Sequence, residues 1–540
     1  MLSTTQGINS MPRPFLGLLR TQRFFPLFLT QLLGALNDSL FKNALFILIA
    51  YTVASQAKAE QWVALGGGLF ILPFFLFSAT AGHFADRFDK ALIVRYSKVL
   101  ECVVVSLGAV GFFQGNLILL LSALFLIGVQ AAFFGPVKYA ILPEQLQQEE
   151  LIEGTALIEA STFLAILIGT LLGGILIGIP HGEKIVSLLI VLLAILGLAS
   201  SFAILKAPVT RIDTPISWNM LGETVKVIRY AMRNRSLYLT ILGISWFWLV
   251  GATFLTLLAL YTKEILHASS GVVTLFLSLF SLGIGIGAYL CTKIQKGSID
   301  AQYVPLGILG ITVFIVDLFF ASPSNTGNNG QLIGFFAFFN TLSHWRISLD
   351  LLLIAICSGI YIVPLYTLLQ TRTEPGHRAR VIAANNIFNA FFMVISSVAS
   401  MILLGAGLSI VHLFLVLGIV NAVIALIVCQ LLPDAVVKTI FRSVLKLVYR
   451  VKVHGLEHYE KASPKAVIIA NHVSFLDGLL LAAFLPDKIV VAVNTHIATN
   501  RWLKPFFNLV DVFAIDPANA LSMKGLIKKV QNNNRCIIFP

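Results

Sequence analysis

Residues 24–54 read FFPLFLTQLLGALNDSLFKNALFILIAYTVA, a run longer than the roughly 20 residues a helix needs to cross a bilayer core. Its middle carries Asn37, Asp38 and Lys42. Ionisable groups at such depth are expensive to bury, so they face a bundle interior or a cavity rather than lipid. Asp38 and Lys42 stand four apart, which puts them on one helix face and within reach of each other. Two readings are open. The pair satisfies itself and packs the bundle, or it lies in a cavity and opens to grip a substrate, Lys42 on a phosphate and Asp38 on an ammonium.

Comparable runs recur at 62–84, 91–113, 116–137, 151–179, 183–206, 237–262, 271–293, 302–321, 347–370, 381–405 and 407–432, which makes twelve predicted spans. Only 12% of the residues are charged, against about 25% in soluble domains, so a soluble globular body is excluded. The spans form two sets of six, 24–206 and 237–432, joined by a polar connector at 207–236 that holds Arg211, Lys226, Arg229, Arg233 and Arg235. That is the layout of a two-bundle transporter with its substrate site at the midplane between the halves.

Loop charge tests the count. With twelve spans, the N-terminus (Arg13, Arg20, Arg23), the 85–98 loop (Arg87, Lys90, Arg95, Lys98), the connector, Lys293 and Lys296, and Arg372, Arg378 and Arg380 all fall on one side. The other side holds little beyond Lys58, Lys184, Lys263 and Arg346. Both termini are therefore expected in the cytoplasm. The net charge of +13 then reflects loops facing anionic lipid, and nucleic-acid binding has no support. The first apolar run is too long for a signal h-region, which argues against a cleaved leader. The five cysteines are scattered with no CxxC spacing, so neither a disulfide framework nor a metal site is expected.

Inside the spans, Gly283, Gly285 and Gly287 mimic part of a dinucleotide fingerprint, but no strand precedes them, and close helix packing is the better reading. Glu101, Glu159, Asp317 and Asp350 are further intramembrane carboxylates, for ion coupling or inter-helix pairing. Residues 322–345 form the longest outer loop and carry no recognisable chemistry.

Beyond Leu432 the pattern changes. Pro433 ends the last span, and in 434–450 Lys438, Arg442, Lys446 and Arg450 recur every four residues, opposite the apolar positions. An interfacial amphipathic helix over 433–450, lying on an anionic inner leaflet, is expected. From Val451, β-branched runs alternate with polar loops (VKVHG, KAVIIANH, KIVVAVN, VDVFAID, CIIFP), which predicts an α/β domain over 451–540. The strand-like AVIIA leads straight into NHVSFLD, residues 471–477. Strand ends are where an α/β sheet presents catalytic groups. His472 is placed as a general base and Asp477 as the group that orients its imidazole, the pair that acyl transfer to an alcohol needs.

Three stretches carry family resemblances. GHFADRFDK at 82–90, with Gly82, Asp86 and Arg87 between the second and third spans, resembles the signature loop of the major facilitator superfamily, which ties helix ends together and gates the inward face. Asp89 stands where that family usually has a second Gly or a basic residue. FFGPVKYAILPEQL at 133–146 resembles the end of the fourth span in the lysophospholipid-transporter branch, which implies that Lys138 is a cytoplasmic-side cation positioned for a lipid phosphate; a plain positive-inside anchor is the other reading. Residues 441–540 resemble the glycerophospholipid acyltransferase superfamily, specifically 2-acylglycerophosphoethanolamine acyltransferase, through VYRVKVHG, ANHVSFLDGLLLAAFLP, RWLKPFFNLVDVFAIDP and CIIFP.

The resemblance implies an α-helical membrane protein: a twelve-helix, two-bundle major facilitator fold over 1–432, then a partial α/β acyltransferase domain. It implies flipping of lysophosphatidylethanolamine, with lysophosphatidylglycerol beside it, to the inner leaflet of a bacterial inner membrane, followed by reacylation. Asn471 and Ser474 would join His472 at the acceptor lipid. The donor would be a thioester of acyl carrier protein or coenzyme A, no bound cofactor is implied, and H+ or Na+ would couple transport. In the acyltransferase superfamily the FP of CIIFP continues into a Glu-Gly block that helps bind the acceptor phosphate, and fused enzymes add an acyl-carrier-protein ligase. This sequence stops at Pro540, so the expectation is that the polypeptide by itself transfers no acyl chain. The alternative is a transporter only, of a lysolipid or another amphipathic substrate, with an inactive tail.

Overall fold

The computed structural model describes residues 16–52, 56–206, 220–295, 299, 301–323 and 332–432, and parts of the tail between 438 and 539. Arg13, Arg211 and Lys296, most of the 501–517 motif, and ten positions of 433–450 lie outside the described residues.

Apolar composition and length make helices the only economical way to carry backbone polar groups through hydrocarbon. The first six are α1 (Phe25–Thr52), α2 (Gln56–Arg87), α3 (Lys90–Gln114), α4 (Leu117–Ala140), α5 (Leu151–Ile177) and α6 (Gly182–Phe202). An amphipathic helix, α7 (Met220–Arg233), follows. Then come α8 (Arg235–Leu260), α9 (Ser270–Gln295), α10 (Val304–Ala321), α11 (Leu342–Arg372), α12 (Arg378–Gly405) and α13 (Ile410–Leu431). Twelve of these are long and apolar enough to span a membrane, as the hydropathy pattern predicts.

In the first half, Phe41 of α1 meets Phe112 of α3 edge to face at 5.3 Å, within a core that takes in Leu124 of α4 and Ile190 of α6. α1 also lies hard against α5. A Cβ on Gly169 would come within 2.6 Å of the Leu36 carbonyl oxygen, and one on Gly173 within 2.7 Å of that of Leu40, so only glycine permits this approach. Gly283 and Gly287 play the same part between α9 and α11, whereas Gly285 looks toward Ala160 of the first half.

Four details depart from the sequence reading. The 85–98 loop shrinks to residues 88 and 89, because Asp89 caps α3 by accepting the Ala91 N–H at 3.0 Å and starts the helix early. Lys90, Arg95 and Lys98 are therefore helical, not loop cations. The connector contains α7. Within the outer loop, a short helix forms at Phe335–Phe338, and α11 begins at Leu342, not 347.

The chain divides into two compact units, Met1–Ile424 and Ala425–Pro540. In the second, four parallel strands, β1 (Val467–Ile469), β2 (Val490–Asn494), β3 (Asp511–Ile515) and β4 (Cys536–Ile538), pair in the order β1-β4-β2-β3. α14 (Phe475–Phe484) and α15 (Ala520–Gln531) fall between strands in the chain. VKVHG forms no strand: Gly455 turns to φ 75° and opens a short helix instead. The expected interfacial helix is only partly described, and it does not leave its cations on a free stripe. Lys438 donates to the Leu485 carbonyl at 2.6 Å and Arg442 to that of Ala483 at 3.1 Å, at the electronegative end of α14, while Leu445 is buried.

Candidate functional site

Where the two six-helix sets meet, α1 to α4 contribute Asp38, Lys42, Phe70, Lys98, Glu101, Phe134 and Lys138 to a cavity of about 300 Å³. The second half lines the opposite wall with Trp248 of α8, Tyr366 of α11, and Asn386, Asn389 and Met393 of α12. The wall is mainly apolar, and its charges are concentrated on one side.

Those charges fall into two kinds. Lys98 and Glu101, one turn apart on α3, form an ion pair at 2.6 Å with side chains only 1% and 2% exposed. Glu101 also accepts Gln130 Nε2 at 3.0 Å and Asn37 Nδ2 at 3.4 Å, which spreads its charge over α1, α3 and α4. Asp38 and Lys42 share a helix face as the spacing requires, yet do not pair: among the described residues neither they nor Lys138 has an ion partner within 4.0 Å. The two ammoniums rest over aromatic faces instead, Lys42 at 5.1 Å from the Phe70 ring and Lys138 at 4.9 Å from that of Tyr139. Two cations and one anion thus face the cavity with no direct ion pair among them.

Below this set the halves touch. Tyr139 stacks flat on Tyr366 at 4.4 Å and donates its hydroxyl hydrogen to the fully buried Glu159. One turn along α5 from Glu159, Thr155 accepts Gln370 Nε2 at 3.2 Å. Asp86 then closes this end. Its buried carboxylate accepts the Ala379 N–H at 2.8 Å, the Arg380 N–H at 3.2 Å and Arg380 Nε at 3.1 Å, so the end of α2 caps the start of α12. Gly82 makes the approach possible, because a Cβ there would lie 2.9 Å from the Ala379 carbonyl oxygen. Arg87 points its guanidinium over Phe88 at 5.8 Å, and Arg380 holds the place beside Asp86. Arg380 was visible in the sequence only as a loop cation. Asp317 pairs with Arg346 across α10 and α11, away from the cavity.

The tail motif has its own geometry. His472 follows β1 and Phe539 follows β4, its neighbour in the sheet, so both rings lie at the same strand ends, with centroids 4.7 Å apart. His472 Nδ1 lies 3.5 Å from Asp477 Oδ2. That oxygen accepts the Val473 and Ser474 N–H groups, each at 2.7 Å, and these bonds, with His472 beside them, hold the Asp477 carboxyl below the usual carboxylate range. Ser474 Oγ is engaged as the helix cap, accepting Leu476 N–H at 3.2 Å, rather than being presented to an acceptor. Asn471 is exposed beside His472.

Comparison with known proteins matches these two regions separately. The family model described as Major Facilitator Superfamily covers residues 27–341, and one described as Acyltransferase covers 450–540. The lysophospholipid transporter LplT of Escherichia coli O1:K1 is 28% identical over 364 residues, which span 66% of this chain and 82% of that protein. LplT of Escherichia fergusonii is 28% identical over 365 residues with the same coverage. The human organic anion transporter MFSD10 superposes with a TM-score of 0.59 at 14% identity, covering 75% of this chain and 99% of its own. A bacterial homologue of the iron transporter ferroportin, in its outward-facing state, gives 0.56 at 17% identity, with 74% and 98% covered. At such identities the shared feature is the fold. A multi-pass membrane body with an acyltransferase-type segment behind it, this chain belongs to the Major Facilitator Superfamily.

Proposed function

We propose that the chain carries lysophospholipid, chiefly lysophosphatidylethanolamine, to the inner leaflet of a bacterial inner membrane, and that the acyltransferase segment restores its missing chain there. The observation that carries this reading is the cavity, in which Asp38, Lys42 and Lys138 face apolar walls without pairing. A glycerophospholipid with one chain brings a phosphate, an ammonium and a long apolar tail. The two lysines suit the phosphate, Asp38 the ammonium, and Phe70, Phe134 and Met393 the tail. The similarity to lysophospholipid transporters supports the same substrate class.

For the tail, His472 takes the proton from the free glycerol hydroxyl as the oxygen attacks the thioester carbonyl of an acyl carrier protein or coenzyme A donor. An ester forms, the carbon–sulfur bond breaks, and the proton passes to the leaving thiolate. Asp477, held ionised by two backbone N–H groups, steadies the imidazole and its transient charge. Both termini on the cytoplasmic side would bring this chemistry to the leaflet where the flipped lipid arrives.

The test uses labelled lysophosphatidylethanolamine and the full-length gene product in inverted and right-side-out vesicles. Asp38→Asn and Lys42→Ala are expected to lose uptake at normal expression. His472→Ala is expected to keep uptake and lose acylation. Unchanged uptake in both cavity variants would remove the lysolipid reading, and acylation surviving His472→Ala would remove the catalytic one.

A further inference from the structure

The segment 332–345, silent in the sequence, is a docked aromatic foot. Ile333 N–H donates to the His267 carbonyl at 2.7 Å, and the Ile333 carbonyl accepts the Ser269 N–H at 2.9 Å, which ties the segment to the link between α8 and α9. Phe338 is fully buried, edge to face with Phe276 of α9 at 5.7 Å, and the His344 ring lies flat on it at 4.2 Å. Two ring nitrogens are used internally: Trp345 Nε1 donates to the Phe339 carbonyl at 2.9 Å, and His344 Nδ1 meets that of Phe338 at 2.7 Å. Large apolar side chains are nonetheless exposed, Phe336 at 87%, Leu342 at 85% and Trp345 at 55%.

We infer that this foot is seated in the headgroup–acyl boundary of the phospholipid leaflet on the side away from Asp86, fixing that end of α10 and α11 at the membrane surface. The side follows from the fold, since α11 starts at the foot and ends at Arg372, close in sequence to the α12 start that Asp86 holds. Continuity names the occupant. Leu342, Trp345 and Leu349 recur at helical spacing on α11, and Leu349 and Phe320 of α10 are themselves exposed, so the foot prolongs the lipid-facing surface of the spans. Length agrees. The 31 residues of α11 rise about 46 Å, against a hydrocarbon core of roughly 30 Å, so its first turns reach the boundary layer. Chemistry agrees as well. The ring nitrogens of Trp345 and His344 that face the segment's own carbonyls need no partner from that layer, aromatic rings favour it, and Arg346 on Asp317 stands at the same helix end.

Phe336→Cys and Leu342→Cys, each in a background without the five native cysteines, carry an environment-sensitive fluorophore in vesicles of phosphatidylethanolamine and phosphatidylglycerol. The polar Asn340→Cys in the same turn is the reference. At 336 and 342 we expect a blue-shifted emission, quenched several-fold more by a lipid spin-labelled near its headgroup than by aqueous iodide. Asn340→Cys is expected to respond more to iodide. Iodide quenching at 336 and 342 equal to that at 340, or no response to the spin-labelled lipid, would overturn the assignment. Either result would also point to a protein partner, absent from such vesicles, as the natural cover. Both labelled side chains are exposed, and the cysteine-free background, which loses the buried Cys291 and Cys536, is used once its thermal unfolding matches that of the native protein.

Discussion

The two six-helix sets share a fold but not a chemistry. The first places Asp38, Lys42, Lys98, Glu101 and Lys138 at the cavity, while the second offers Trp248, Tyr366 and amides and pairs its Asp317 with Arg346 at the periphery. One half carries the charges of the cavity and the other supplies a wall without ionised groups. Matched bundles therefore need not contribute matched groups, and the contrast can be broken residue by residue.

The largest effect is expected from Lys98→Ala, which strands the buried Glu101 and should destabilise the protein by about 3–5 kcal/mol in detergent thermal unfolding. Lys98→Met with Glu101→Leu should recover most of that, and no recovery would mean that the pair does more than neutralise itself. Next comes Asp86→Ala, which removes a charged acceptor from two N–H groups and Arg380. Two bonds at about 1.5 kcal/mol each correspond to a roughly 100-fold rise in labelling of an Asn386→Cys probe from the Asp86 side. Lys138→Ala is expected to raise the KM for labelled lysolipid about 10-fold, the loss of one charge-assisted bond. An equal effect from Trp248→Leu would erase the division between the halves. Asp317→Ala, at a half-exposed pair, should cost no more than about 1 kcal/mol.

The smallest effect concerns pH in the second unit. The Asp477 carboxyl is depressed by the Ser474 and Val473 N–H groups and by His472, so its contacts are complete above the ordinary carboxylate value near 3.9 and are lost as pH falls through the lower folded value. The imidazole resonances of His472, read by NMR, should therefore report an intact Asp477 contact down to about pH 4. Asp477→Asn should alter them at every pH.

Much of this was legible in the chain. Twelve apolar runs gave twelve helices, because hydrocarbon leaves the backbone no other solution. Asp38, Lys42 and Lys138, which line the cavity, stood out as costly charges or through a family motif. Lys98 was mistaken for a loop cation, since a lysine near a span end looks the same whether it faces water or a buried carboxylate one turn on. Arg380 as the partner of Asp86 lay beyond reach, because the two are 294 residues apart. VKVHG alternates like a strand, but a strand needs a neighbour, and Gly455 takes the chain elsewhere. In the segment expected to lie on the membrane, Lys438 and Arg442 bond carbonyls at the end of α14, contacts that the spacing of four did not announce.

Only Phe88 and Asp89 separate α2 from α3, and Asp89 is fixed as a helix cap. So short a joint has no slack. A displacement of the α2 end that carries Asp86 would bear directly on the start of α3, the helix that also holds the Lys98–Glu101 pair. The contact with α12 and the ion pair at the cavity thus hang on one two-residue joint.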